Sequence, residues 1–375
     1  MTPFRVVVAG GGVAGIESLL ALRELAGERI ALTLLSPGDR FRVPAFAVAE
    51  PFALGHGQEV PYTRIAGDLG VTVIPSAALA VDDARRAVET SDGVQIAFDA
   101  LLLTPGATMA EGLQGATTWR PDASPEIFGG LLRDLEQGYA GRIAFVVPAG
   151  PAWPLPAFEL AMMTARHADG MGIDAEISVV CPDEDPLAFL GLEAAGALRA
   201  ALADAGVRLV TGMDAHVGHL PVLHLAPAGS GDAITVDRIV ALPALRGPRI
   251  AGVTSDEHGF IRTGPHGLVE GCTRTWAAGD GIASPMKMGG LASYQARRAA
   301  GDIARAAGVD VPPGDGADDL ALHAVLMTGE DPVALDDLPL AAAAGAPRWW
   351  PARKVASHHL EAYLMRIADE TGVPA

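Results

Sequence analysis

Cysteine is nearly absent from this chain: Cys181 and Cys272 are the only two in 375 residues. So few exclude a disulfide framework, the usage expected of a cytoplasmic protein. Positive charge is scarce as well, with 27 Lys and Arg against 45 Asp and Glu and a formal net charge of −18. That balance argues against a nucleic-acid partner and against broad adsorption to anionic lipid. No run approaches the ~18 apolar residues of a membrane span. An apolar strand pattern also begins too close to Met1 to leave room for a targeting segment. Aromatic residues are few, at 5%, yet apolar residues of all kinds make up 50% of the chain. That is ample for packed cores, and the length suggests two domains and an appendage.

What the chain does have stands at its beginning. Val6, Val7 and Val8 form a β-branched run suited to a buried parallel strand. Gly10, Gly12 and Gly15 then give G-x-G-x-x-G, followed by Ile16, Leu19, Leu20 and Leu22 at helical spacing. The first glycine permits a tight turn, the second lets a pyrophosphate approach the backbone, and the third lets helix and strand pack closely. The phosphates of a dinucleotide would sit at the helix N-terminus, where free N–H groups favour an anion. The alternative is a glycine-rich turn without a ligand. The next strand, Ile30–Leu35, lacks the usual closing acid: Ser36 and Pro37 follow, with Asp39 further on. Ser36 can still bond a ribose hydroxyl, so the choice between NAD and FAD must come from elsewhere.

The first third of the chain recurs in degenerate form. Val6–Val8 matches Ala144–Val147, Ile30–Pro37 matches Ala175–Pro182, Gly70-Val71 matches Gly206-Val207, and Phe98–Pro105 matches Val236–Pro243. Glu17 in the first helix matches Glu159. Two tandem Rossmann-like α/β domains follow from this pattern. In the second copy the phosphate loop reads Pro148–Ala157, with Gly150 its sole glycine, four prolines and Trp153. Each proline removes a backbone donor that a phosphate would need, so NAD(P)H is a doubtful ligand. Asp183 and Glu184, after the next strand, keep a ribose contact open.

A third block, Thr275–Asp280, ends a strand at Gly279-Asp280, and Gly289-Gly290 opens another helical pattern through Leu291, Tyr294, Gln295 and Arg298. An Asp at a strand end beside a helix N-terminus suits a polyol hydroxyl next to a pyrophosphate. Lys287, just before that helix, is placed as a fixed cation would be for a reduced ring. A glycine turn with a surface Asp, and a solvated Lys287, are the alternatives.

Gly10–Glu17, Thr104-Pro105-Gly106 and Thr275–Asp280, in this order, resemble the FAD-binding signature of the pyridine-nucleotide disulfide oxidoreductase superfamily. Met288–Ala296 and Trp349–Ala356 look most like the branch containing sulfide:quinone oxidoreductase, flavocytochrome c sulfide dehydrogenase and type II NADH dehydrogenase. The resemblance implies FAD. It places the pyrophosphate at Gly10, Gly12, Val13, Ala14 and Gly15, with Thr104, Pro105 and Gly106 beside it. It places the ribitol at Gly279 and Asp280, and the isoalloxazine near Lys287, Gly290 and Leu291. Ser36, Arg42 and Ala78 match the region enclosing the adenosine half. Sulfide chemistry in that branch passes sulfur through a cysteine pair facing the flavin. Here Trp153 stands in the Pro-rich loop, and residues 320 to 336 contain no cysteine. Cys181 and Cys272 read as small buried hydrophobes.

Two histidine groups carry little. His216, His219 and His224 lack the i, i+2 spacing that puts ligands on one strand face, and His358-His359 diverge on a helix. No metal site is expected. The tail Pro347–Arg366 carries Arg348, Arg353, Lys354 and Arg366 against Glu361. Its residues Ala352, Val355, Ala356, Leu360, Tyr363, Leu364 and Ile367 form an apolar helical face. The resemblance implies a segment covering the flavin; a capping or homodimer-forming helix and a lipid- or quinone-contacting face are both open.

The expected organisation is a split FAD-binding domain, 1–112 and 236–312, an inserted domain with the degenerate loop, 113–235, and a C-terminal segment, 313–375. Within that segment 308–346 reads as an irregular connection with one apolar piece, Leu320–Met327. The expected function is an FAD-dependent oxidoreductase with a non-covalent flavin, Lys287 its one candidate catalytic side chain, and a small-molecule or quinone-like acceptor. An NAD(P)H:quinone-type reductase and a non-enzymatic flavin-binding scaffold remain as alternatives.

Overall fold

The Val6–Val8 run lies at the centre of a five-stranded parallel sheet, buried on both faces. In the computed structural model, which describes residues 3–123, 125–218, 222–226, 233–312, 323–335 and 354–371, strand Phe4–Ala9 pairs with Ile30–Leu35 and with Ala100–Leu103. Val71–Ile74 and Thr275–Ala277 complete the two edges. Side-chain alternation assigns the faces. Val6, Val8, Leu32, Leu34 and Leu102 meet the helices, while Val7, Ala9, Leu35, Leu101 and Leu103 pack under an antiparallel meander, Ala78–Asp82, Ala87–Thr90 and Gln95–Ala97. A strand covered on both sides has no polar face, which is why this segment reads as continuous valine.

The second sheet repeats the plan. Arg142–Val146 is flanked by Glu176–Val180 and Arg238–Ala241, all parallel, with Arg208–Val210 and the short Thr117–Thr118 at the edges. Ile143 and Phe145 point to the helices; Ala144 and Val146 face a meander holding Ala215 and Leu223. The helical faces of both sheets share one continuous apolar core. The fold is therefore α/β, with two Rossmann-like units and a C-terminal helix.

That helix, His359–Thr371, differs from expectation at its start. Val355 and Ala356 precede it in non-helical backbone rather than extending its apolar face. Glu17 is the reason. Its buried carboxylate accepts from the backbone N–H groups of His358 (3.2 Å), His359 (3.1 Å) and Leu360 (2.7 Å), which caps the helix at this point. Leu360, Tyr363, Leu364 and Ile367 are buried as the pattern required. The apolar piece around Val325-Leu326 is a strand of a small hairpin with Val333-Ala334, not an isolated run. Arg348, Ala352, Arg353, His219 and residues 320–322 lie outside the described residues.

Candidate functional site

Strand Phe4–Ala9 ends and helix Val13–Ala26 begins within a turn whose geometry only glycine satisfies at two positions. Gly10 has φ +123°, and a Cβ there would lie 2.0 Å from the Thr104 carbonyl oxygen. A Cβ at Gly15 would lie 1.9 Å from the Gly10 oxygen, so the third glycine serves close packing. Gly12 is different: a Cβ there meets nothing within 4 Å and would project into open space. Gly12 is also the N-cap of the helix and offers no side-chain cap, leaving the first N–H groups free.

That open space is a cavity of about 630 Å³, within the range of cofactor sites. A second helix, Gly289–Ala306, also lacks a side-chain cap and begins in the same cavity at Met288, Gly289 and Gly290. The two helix starts converge because the residues between them are small. A Cβ on Gly279 would sit 3.1 Å from Ala14 and 3.6 Å from Ala292. Two uncapped N-termini facing one space suit a ligand with anionic and electron-rich groups at separate points.

The cavity gathers Gly10, Gly12, Val13, Ala14, Ser36, Arg42, Ala78, Thr104, Pro105, Gly106, Gly279, Asp280, Lys287 and Gly290. Gly15 and Leu291 do not line it: Gly15 is a packing position beneath the turn, and the Leu291 side chain is buried in its helix. The Ser36 hydroxyl is within 3.2 Å of the Tyr62 hydroxyl, which donates to the Gly11 carbonyl at 3.0 Å. Tyr62 lines the cavity and was not legible in the sequence, because a lone tyrosine after a proline carries no pattern.

Lys287 is 1% exposed, which excludes a solvated surface role. Its Nζ donates to the Ile282 carbonyl at 2.5 Å and lies 3.8 Å from the centre of the Phe260 ring. Burial lowers its pKa to about 8 against the opposing pull of Asp280 and Asp256. Burial likewise raises Asp280 to about 6, with Lys287 pulling it back.

Three further lining residues come from the second sheet's helix and the C-terminal segment: Glu159, Lys354 and Val355. The Lys354 ammonium pairs with the Glu159 carboxylate and donates to the Val325 carbonyl at 2.7 Å. Glu159 also accepts from the Met327 N–H at 2.8 Å. Burial pushes Glu159 up and Lys354 down, while each holds the other back toward its charged form. Glu17 and Glu159 thus occupy matching positions in the two repeats and both anchor the C-terminal segment. The signal was present, because an acid inside an apolar helical face demands a buried partner.

The degenerate loop builds a wall. Trp119, Trp153, Leu155, Pro156, Leu242 and Leu245 close the cavity on the side of the second sheet. Neither Cys181 nor Cys272 is among the lining residues; burial pushes Cys181 up to about 12 and raises Cys272 as well. His216 and His224 are exposed register partners in the second meander. No helix among the described residues is long and apolar enough to cross a membrane.

The pyridine nucleotide-disulphide oxidoreductase family matches residues 4–301. An NADH dehydrogenase-like protein of Mycobacterium tuberculosis is 27% identical over 315 residues, 75% of this chain and 74% of that protein. The sulfide:quinone oxidoreductase of Aquifex aeolicus superposes with a TM-score of 0.76 at 18% identity, over 98% of this chain and 90% of that one. A ferredoxin reductase of Rhodopseudomonas palustris gives 0.64 at 19% identity, over 88% and 81%. At these identities the solved structures speak for the fold. The family match, spanning both repeats and the glycine turn, shows that this chain belongs to the pyridine nucleotide-disulphide oxidoreductases and is an FAD-dependent oxidoreductase.

Proposed function

We propose that the non-covalent flavin occupies the 630 Å³ cavity and exchanges electrons with a small apolar, quinone-like partner rather than with NAD(P)H. The observation carrying this reading is the wall on the second-sheet side. Where a nicotinamide dinucleotide would need backbone donors, Pro148, Pro151, Pro154 and Pro156 supply none, and Trp153 and Leu155 face the cavity. In this reading Gly12, Val13 and Ala14 hold the pyrophosphate, Ser36, Arg42 and Ala78 the adenosine half, and Asp280 a ribitol hydroxyl. Lys287 and Gly290 lie by the ring. When bound, FAD supplies the two-electron chemistry; the chain orients it, excludes water and sets the local charge. Lys287 contributes a fixed positive charge where the reduced ring becomes negative. Residues 1–112 with 236–312 would form the flavin unit and 113–235 the substrate-facing one.

A second reading has one observation in its favour. The mycobacterial relative is named NADH dehydrogenase-like, and Asp183 and Glu184 follow strand Glu176–Val180, where a ribose could be read. Anaerobic mixing with NADH, NADPH and sulfide, followed by flavin absorbance, separates the readings. Little or no reduction by any of the three supports the proposal. Rapid reduction at micromolar NADH establishes the second reading instead.

A further inference from the structure

The acid that closes the second strand of a dinucleotide-binding unit accepts a hydrogen bond from the adenosine ribose. This chain has Ser36 there, immediately after strand Ile30–Leu35. Asp39 does not take its place: its carboxylate is exposed and holds the Arg40 guanidinium at 3.0 Å. Among the described residues, the carboxylates lining the cofactor cavity are Asp280 and Glu159, and neither belongs to this strand end. Ser36 does line the cavity, and so does Tyr62.

A serine hydroxyl can donate or accept, so by itself it is a poor copy of a carboxylate. Its neighbours remove that freedom. The Gly11 carbonyl can only accept, so the Tyr62 hydroxyl, 3.0 Å away, directs its single proton there. The Tyr62 oxygen is then left to accept, and the Ser36 hydroxyl donates to it at 3.2 Å. With its proton fixed in this way, the Ser36 oxygen has only lone pairs to offer, as a carboxylate has. Burial raises the Tyr62 phenol above its ordinary range, so the tyrosine keeps its proton. The Tyr62 N–H donates to the Asp39 carbonyl at 2.9 Å, just beyond the pairing of Arg40–Arg42 with Glu59–Pro61, which holds the residue in place. Gly11 completes the arrangement: a Cβ there would collide with the Tyr62 hydroxyl and crowd the Ser36 oxygen at 2.9 Å.

We propose that Tyr62 is a positioning residue that makes the Ser36 hydroxyl an obligate acceptor for the adenosine 2′-hydroxyl of FAD, in place of the missing acid. This role rests on the adenosine placement given above, and it holds whichever donor or acceptor the flavin serves.

The test is flavin exchange. The full-length, FAD-loaded protein is equilibrated with excess of an FAD analogue carrying fluorine in place of the adenosine 2′-hydroxyl, and the bound flavins are separated and quantified. Fluorine is close to a hydroxyl in size but cannot donate. Wild type should prefer FAD over the analogue by about fivefold or more, as the loss of one hydrogen bond requires. Ser36→Ala should bring that ratio close to one. Tyr62→Phe should do the same, since the serine proton is then free to turn toward the fluorine. Combining Tyr62→Phe with Ser36→Asp should restore the preference, because a carboxylate accepts whatever stands behind it. A merely structural loss at Tyr62 would not be rescued in this way. If the phenylalanine variant fails to fold, the wild-type preference and its loss in Ser36→Ala still test the acceptor role. Equal binding of FAD and the analogue by wild type overturns the proposal. So does a Tyr62→Phe variant that discriminates like wild type while Ser36→Ala does not; the adenosine placement then stands and the role of the tyrosine falls. Undiminished discrimination in Ser36→Ala shows instead that the ribose lies elsewhere, which defeats that placement as well.

Discussion

At the scale of single residues, the glycines of the N-terminal turn separate folding from binding. Gly10 and Gly15 have no room for a Cβ, so substituting either disturbs the fold itself. Gly12 opens onto the cavity. Gly12→Val should therefore yield a folded protein with unchanged circular dichroism that purifies colourless; a variant that keeps its full complement of FAD would show that the phosphate is held elsewhere. Lys287 makes the second prediction at this scale. A unit charge at ~4 Å interacts by up to ~4 kcal/mol at an effective dielectric of 20, and screening should leave ~1–2 kcal/mol. For a two-electron couple this is on the order of 20–40 mV. Lys287→Met should lower the flavin potential by about that much while retaining FAD, and an unchanged potential would remove Lys287 from the site. Its lowered pKa adds a pH signature. With a folded value of about 8 and an unfolded value near ~10.4, the unfolded chain binds more protons between the two. The burial cost is fully present below the folded value, and stability rises as pH increases through that window. In denaturation of wild type and Lys287→Met across this range, the methionine variant should show the smaller rise.

Among the elements, the C-terminal helix depends on two carboxylates from elsewhere in the chain. Glu17 accepts three N–H groups at the helix start, and Glu159 holds Lys354 just before it. Hydrogen bonds to a buried charge are worth more than neutral ones, and Glu17→Gln keeps the shape while discharging the acceptor. The expected loss is about 1–2 kcal/mol. It should appear as faster amide exchange at Leu360 than in wild type, with the central strand Phe4–Ala9 still protected. Unchanged exchange at Leu360 would mean that the apolar face of Leu360, Tyr363, Leu364 and Ile367 holds the helix alone. The same elements show where periodicity misleads. Val355 continues the apolar pattern of the helix in sequence, yet it packs outside it, against the start of helix Gly289–Ala306, where a Cβ on Gly289 would meet Val355 at 2.6 Å. A helical wheel reports which residues are apolar, not which neighbour takes them.

For the molecule as a whole, the two sheets explain how one cavity draws on residues so far apart in sequence. Each repeat places a glycine- or proline-bearing turn at the carboxyl ends of its strands, where open α/β sheets present their ligand sites. The first supplies helix N–H groups, and the second supplies a wall of Trp153, Leu155 and Pro156. The C-terminal segment adds Lys354 and Val355. The chain's only lysines, Lys287 and Lys354, are both buried and both line this cavity. In an acidic, arginine-using protein that placement sets them apart from solvating surface charge.

The sequence by itself determined the local features: the buried valine strand, the glycine turn, the repeat, and the family signature that names the cofactor. Each rests on contacts within a few residues or on a pattern repeated along the chain, so it survives in one dimension. Only the tertiary structure decided that Glu17 and Glu159 are anchors, that Tyr62 stands over Gly11, that Lys354 is buried rather than solvated, and that Gln58 is enclosed without a partner among the described residues. Those facts join residues remote in sequence, and their energies come from desolvation and pairing in the folded interior. An acid, a tyrosine or a glutamine reads the same on a surface as in a core until packing removes the water around it.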